Sequence, residues 1–195
     1  MDVFKAIRER RTIGRVKDIA VPREQIEQLL EAGNWAPSHH ATEPWRFFVL
    51  TGNGRHILGE AYADIAEQTQ SPAKLAPEER EAFRAKHAAK AFRSPVVIAV
   101  AVSPSAEKGV SRIEEFAAAH AAVQNMLLAA HALGLGAIWR SGEPMYHPRM
   151  QQAFGLTGDE ALVGLLYVGQ PAMPQPEGKR RPVADKTRWI TEHLT

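Results

Sequence analysis

Pro95-Val96-Val97-Ile98-Ala99-Val100-Ala101-Val102 is a nearly unbroken run of branched and small apolar side chains. A strand with one wet face alternates apolar and polar residues, whereas an unbroken run marks a strand covered on both faces. The run therefore belongs in the interior of a sheet with helices above and below it. Upstream, Trp45-Arg46-Phe47-Phe48-Val49-Leu50 is aromatic and branched and stops at Gly52-Asn53-Gly54, so it reads as a strand and a turn. Downstream, Ala137-Ile138-Trp139 is strand-like after Gly134-Leu135-Gly136, and Leu162 to Val168 forms a last strand before Gly169-Gln170-Pro171.

Helical patterns fill the intervals. Val3, Phe4 and Ile7 lie at helical spacing in a short first helix that delivers Arg10 and Arg11 at its C-terminal end. Pro22 suits the first turn of a second helix whose stripe is Ile26, Leu29 and Leu30, with Gly33 loosening its end. A third helix starts near Arg55. From Ser111 to Leu133 the chain is Ala-rich, with Ile113, Phe116, His120, Val123, Leu127 and Leu128 on one broad face and Ser111 at capping-box spacing from Glu114. Residues 70–94 are polar and carry Pro72 and Pro77, which suggests a mobile excursion or lid. From residue 170 the chain reads as an extended tail dense in Pro, Lys and Arg. The expected fold is α+β, a three-layer α/β/α arrangement with a mixed central sheet. No strand leads into a Gly-x-Gly-x-x-Gly turn, so a dinucleotide-binding fingerprint is absent.

With 195 residues and 45% hydrophobic content, the chain is expected to form one domain over 1–195 with a real core. It has no cysteine, which excludes thiolate metal sites, iron–sulfur clusters and thiol nucleophiles, so any redox chemistry is borrowed from a cofactor. The 24 Lys and Arg interleave with 22 Asp and Glu for a formal charge of +2, which gives no electrostatic footprint for nucleic acid. No apolar run is long enough to span a bilayer and no secretory h-region follows Met1, so no membrane association and a cytoplasmic location are expected.

Three segments could carry chemistry. Arg10-Arg11-Thr12 puts two forked donors beside a hydroxyl, a good phosphate receptor, although taken by itself such a segment is more often a solvated helix end. Trp139-Arg140-Ser141-Gly142 is either a strand end with a turn or a place where Gly142 lets the main chain approach a ligand ring closely. Pro37-Ser38-His39-His40 invites a metal reading, but adjacent histidines cannot readily share one ion and no carboxylate cluster accompanies them. His120 and His131 read as satisfied, partly buried helix residues. Ser141 is in no nucleophile elbow. Lys179-Arg180-Arg181-Pro182 is either part of an anion site or a solvated charge run.

In order and spacing these segments, together with Val163 to Gly169, resemble the FMN-dependent nitroreductase family, most closely its small YdjA-like members, over nearly the full length. The resemblance implies an interleaved homodimer with two FMN sites, each built from both chains. It implies that Arg10, Arg11 and Thr12 hold the ribityl phosphate, and that Pro37, Ser38 and His39, with Trp35 nearby, reach the flavin from the partner subunit. Trp139, Arg140 and Ser141 would line the isoalloxazine, and Arg15, Lys179 and Arg181 could add contacts. No side chain need act as a catalytic acid or base: Arg140 and the main chain of Ser141 and Gly142 would tune the flavin. The implied activity takes a hydride from NADH or NADPH and reduces a nitroaromatic, quinone or related acceptor by a ping-pong mechanism. A specialised flavin dehydrogenase or oxidase on the same fold, or an FMN storage protein, are the competing readings. Gly14, Trp35, Ala41 and Glu43 depart from the family pattern, leaving the group that meets flavin N1 and O2 open. The apolar helix from Ile113 to Leu133 is a further reason to expect a dimer, because one subunit would struggle to cover it.

Overall fold

The computed structural model describes residues 1–70 and 75–192. In chain order its elements are α1 (Val3–Glu9), α2 (Arg23–Asn34), β1 (Trp45–Thr51), α3 (His56–Gln70), α4 (Pro77–Ala88), β2 (Val96–Val102), α5 (Arg112–Ala132), β3 (Gly136–Arg140), α6 (Glu143–Tyr146), α7 (Pro148–Ala153) and β4 (Ala161–Gly169). The strands pair in the order β1-β2-β4-β3. The unbroken run is β2, buried along its whole length between β1 and β4, as its lack of a polar face requires. Val96, Ile98, Val100 and Val102 pack toward Ile26 and Leu29 of α2 and Val123, Met126 and Leu127 of α5. Val97, Ala99 and Ala101 point the other way, toward Leu58, Tyr62 and Ile65 of α3 and Met145 and Met150 beyond it. Two helical layers thus sandwich one sheet.

The expectation of a mixed sheet is corrected. The sheet of the described residues is antiparallel at every pairing and not mixed. The cause lies in residues 70–94, read from sequence as an excursion: Pro72 falls outside the described residues, but Pro77–Ala88 is the helix α4, followed by a 3-10 turn over Ala89–Phe92. A single helix between strands returns the chain to its starting end and gives a parallel pair. Here α3 and α4 form an antiparallel hairpin, with Glu67 meeting Arg80 and Asp64 meeting Arg84, so the chain turns back once more and β2 runs against β1.

Local chemistry explains most boundaries. The Asp2 carboxylate accepts the Lys5 N–H at 3.0 Å and caps α1. The Glu79 carboxylate accepts the Ala76 N–H at 2.9 Å before α4. Ser111 does stand at the N-cap of α5, but its side chain makes no capping bond, so the capping box read with Glu114 does not form. Gly33 is a packing residue, not a loosened end: a Cβ there would sit 2.9 Å from Met126 Cγ and 3.1 Å from Phe47 Cζ. The dimer argument from α5 also changes, because Val123, Met126, Leu127 and Ala130 are covered by this chain's own sheet and α2. Exposed apolar side chains include Phe4 and Ile7 of α1, Ile113 at the start of α5, and Trp35, Val183 and Trp189.

Candidate functional site

Residues 13–17 cross the start of β3 and the end of β4. Ile13 N–H donates to the Ala137 carbonyl at 3.0 Å, and Lys17 N–H to that of Gln170 at 2.8 Å. Two glycines permit this approach, since a Cβ on Gly136 would fall 2.7 Å from Ile13 Cγ2 and one on Gly169 would fall 2.9 Å from Val16 Cγ2. The contact delivers Arg10-Arg11-Thr12 from the end of α1 to the beginning of β3.

A cavity of about 160 Å³ opens there, with Arg10, Arg11, His131, Ala137 and Gln175 among its walls. Arg10 Nε, Arg11 Nε and His131 Nε2 are all buried without a hydrogen-bond partner. Leaving one buried polar group unpaired costs roughly 1–3 kcal/mol, and native proteins tolerate few of them. All three belong to residues that line this one cavity. Burial, then the charges of Arg11 and Arg180, lower the pKa of Arg10, a strain that an anion would relieve. Arg11 is aimed by two bonds from Nη1 to the carbonyls of Arg8 and Arg10, each 2.6 Å. Its guanidinium lies over Gly178, where any Cβ would collide with it.

Sequence reasoning missed two members of this cluster. His131, read as satisfied, is not: it occupies the last turn of α5, lines the arginine cavity and has its Nε2 buried without a partner. In the basic tail Lys179, Arg180 and Arg181 are all exposed, and the charge among them that acts on Arg10 is that of Arg180. The Arg15 side chain is exposed as well, while its carbonyl accepts the Ala172 N–H at 3.0 Å and ties down the tail.

The far end of β3 lies roughly 13 Å away, four residues at strand rise. Trp139 and Arg140 there point to opposite faces of the sheet. The indole lies on Gly164, and its Nε1 donates to the Val163 carbonyl at 3.1 Å. Both features depend on the register shift opposite Val100 and Ala101, which bulges β4 at Val163. Arg140 extends over the Tyr167 ring at 5.4 Å, with its Nε buried and unpartnered. Ser141 and Gly142 then turn into α6, and Gly142 has φ +117°, a conformation that L side chains rarely adopt. A second cavity of about 410 Å³ adjoins Ser141, and Tyr62, Lys90, Arg93, Arg140 and Tyr167 contribute to its lining. The Tyr62 and Tyr167 hydroxyls meet at 3.0 Å, and burial first of all raises both pKa values.

The third segment stands apart. Trp35 and Ser38 line a separate pocket with Asn34, Ala41 and Glu43 that shares no residue with either cavity, so one chain does not bring Pro37-Ser38-His39 to Arg10. Trp35 is largely exposed, with its Nε1 donating to Glu31 at 2.6 Å. His40, Ala41 and Glu43 all have positive φ, 59°, 53° and 48°. Each such non-glycine residue costs about 1–2 kcal/mol, so the loop must be held. Ser38 Oγ accepts the Glu43 N–H at 2.9 Å. Thr42 Oγ1 donates at 2.6 Å to Glu115, a fully buried carboxylate that also accepts the Ser105 N–H. His39 Nε2 lies 3.8 Å from the Glu114 carboxylate at the surface.

The family model described as Nitroreductase family matches residues 7–170, which include all three segments. The chain belongs to the nitroreductase family. It is 34% identical over 191 residues to YdjA of Escherichia coli (strain K12), which carries the name Putative NAD(P)H nitroreductase, covering 98% of this chain and 99% of that protein. A nitroreductase-like family protein from Bacillus cereus superposes with a TM-score of 0.81 at 32% identity, over 98% of this chain and 97% of the other. A nitroreductase-type protein from Desulfovibrio desulfuricans, solved in complex with FMN, gives 0.70 at 31% identity, over 99% and 97%. The matched span of this nitroreductase-family chain ends before the basic run at 179–181.

Proposed function

We propose that the chain is a cytoplasmic FMN-dependent oxidoreductase that takes a hydride from NADH or NADPH and reduces a nitroaromatic, quinone or related acceptor. The observation that carries this reading is that Arg10, Arg11 and His131, each with a buried, unpartnered side-chain nitrogen, line one cavity near the start of β3. FMN would supply the hydride-transfer chemistry that a chain without cysteine lacks. The residues fit its parts. Arg10, Arg11, Thr12 and His131 would hold the phosphate, with Arg180 adding charge, and Lys179 and Arg181 would at most extend that field. At the other end, Trp139 is a braced wall, and the Ser141 and Gly142 main chain offers N–H donors beside a position where only Gly is at ease. Arg140 adds a fixed positive charge that favours electron-rich states nearby.

A second copy of the chain completes the site in this reading. The loop that follows Trp35 is strained at His40, Ala41 and Glu43, just beyond Pro37 to His39, yet does not meet the arginines of its own chain, as expected for a segment shaped to serve its partner. The bare apolar residues of α1 and Ile113 give that partner something to cover. The open space of about 410 Å³ beside Ser141 favours turnover over storage, because a reactant needs access to the ring.

Steady-state kinetics test the reading. With NADH or NADPH against nitrobenzene or a quinone, one slot used in turn by donor and acceptor gives parallel double-reciprocal lines. Intersecting lines would reject the shared slot. A flavin-loaded protein that oxidises neither nicotinamide would leave storage as the function.

A further inference from the structure

We propose that the cavity formed by Lys90, Arg93 and Arg140 beside Ser141 is an oxyanion subsite, which holds a carboxylate or phosphate group of a reactant while its reacting end lies against the Ser141-Gly142 turn. This inference rests on the oxidoreductase reading and adds a substrate class to it.

The charges of this helical layer divide sharply. Arg80 and Arg84 are paired with Glu67 and Asp64, and Arg149 with Asp64. Lys90, Arg93 and Arg140 have no ion pair among the described residues, and no Asp or Glu lines the cavity they share. The charge of Arg93 acts on Lys90, and those of Arg93 and Arg140 both act on Tyr62 and Tyr167. Their floor is the bonded tyrosine pair. The Lys90 ammonium stands 6.0 Å from the centre of the Tyr62 ring, and the Arg140 guanidinium 5.4 Å from that of Tyr167. Three like charges gathered over buried rings, one with a buried donor left unpaired, repel each other until an anion arrives.

The anion is not the FMN phosphate. That group has its own receptor at Arg10 and Arg11, roughly 13 Å back along β3, and FMN carries only one phosphate. A second cationic cluster implies a second anion, and the volume of about 410 Å³ has room for an aromatic carboxylate. The same chemistry could come from a carboxylated acceptor or from a phosphate of the nicotinamide donor.

Kinetics separate these two sources. The flavin-loaded protein is assayed with 4-nitrobenzoate, with neutral nitrobenzene, and with NADH and NADPH, for the parent, K90M/R93M and the charge-keeping K90R/R93K. For an acceptor carboxylate, the ratio of kcat/KM for 4-nitrobenzoate to that for nitrobenzene falls about tenfold or more in K90M/R93M and recovers in K90R/R93K. For a donor phosphate, that ratio holds while the KM for NADH or NADPH rises by a similar factor. Calorimetry with benzoate reads the site without turnover, with binding to the parent that weakens in K90M/R93M supporting the subsite. Unchanged ratio, unchanged nicotinamide KM and equal benzoate binding would overturn the proposal. If the double variant loses flavin or melts early, the single variants K90M and R93M carry the same comparison. A protein that oxidises no nicotinamide at all would refute the oxidoreductase reading, while benzoate binding would still decide the subsite.

Discussion

A guanidinium nitrogen buried without an acceptor destabilises a chain unless something else binds it, and Arg10 and Arg11 share one cavity in that condition with His131. Arg10→Ala is expected to weaken FMN binding by about 1.5–3 kcal/mol, the worth of a hydrogen bond to a charged group, with the fold kept; fluorescence titration of the apoprotein measures it. Unchanged affinity would move the phosphate elsewhere. At the other end of β3, Ser141→Ala should keep turnover within about tenfold, a barrier change of ~1.4 kcal/mol, because the proposed donor is its main-chain N–H. Arg140→Ala should slow flavin reduction by more, as stopped-flow bleaching would record. The arginine pair was legible because Arg-Arg-Thr is dense in donors at the end of a recognisable helix. His131 was not, since a histidine in an Ala-rich helix looks the same whether or not its Nε2 has a partner. Nor did sequence distinguish Arg180 from its neighbours, because an extended tail has no period from which side-chain direction follows.

Strand β2 declared itself at the level of the element, since a run with no polar position has only one stable environment. Strand direction did not. It depended on whether one helix or two crosses between β1 and β2, and α4 is so charged that its pattern reads as loop. What holds α4 is electrostatic: Arg84 Nη2 and Arg149 Nε each donate to Asp64 at 2.8 Å, joining α3 to α4 and α7. Burial alone would push the Asp64 pKa up, but the bonds and charges of Arg84 and Arg149 outweigh it and hold the carboxyl below its ordinary value. A depressed folded pKa stabilises the fold fully above the ordinary carboxylate pKa near 3.9 and loses that contribution as pH falls further. Asp64→Asn should therefore cost about 1 kcal/mol at neutral pH, the upper end for a partly exposed pair. The difference between parent and variant should shrink in acid, as urea melts at descending pH would show; a difference independent of pH would contradict the ion-pair origin.

For the whole molecule, composition and the family marks pointed to the right fold, but the reason first given for a dimer was mistaken. Helix α5 is covered within its own chain because Gly33 lets α2 approach Met126, a contact that no single helix pattern announces. Bare apolar side chains include Phe4 and Ile7 of α1 and Ile113 of α5 itself, with Phe4 72% and Ile113 81% exposed, as well as Trp35, Val183 and Trp189. An obligate interface of ~2,000 Å² or more should cover them, so sedimentation at low micromolar concentration should show two chains, and a stable flavin-loaded monomer would contradict the shared site. The most direct measurement is the visible spectrum of the purified protein before and after anaerobic addition of NADH and NADPH. A yellow protein with one FMN per chain that bleaches with at least one nicotinamide is the predicted result. A colourless protein that takes up no added FMN would contradict the reading of the Arg10, Arg11 and His131 cavity as a flavin phosphate site.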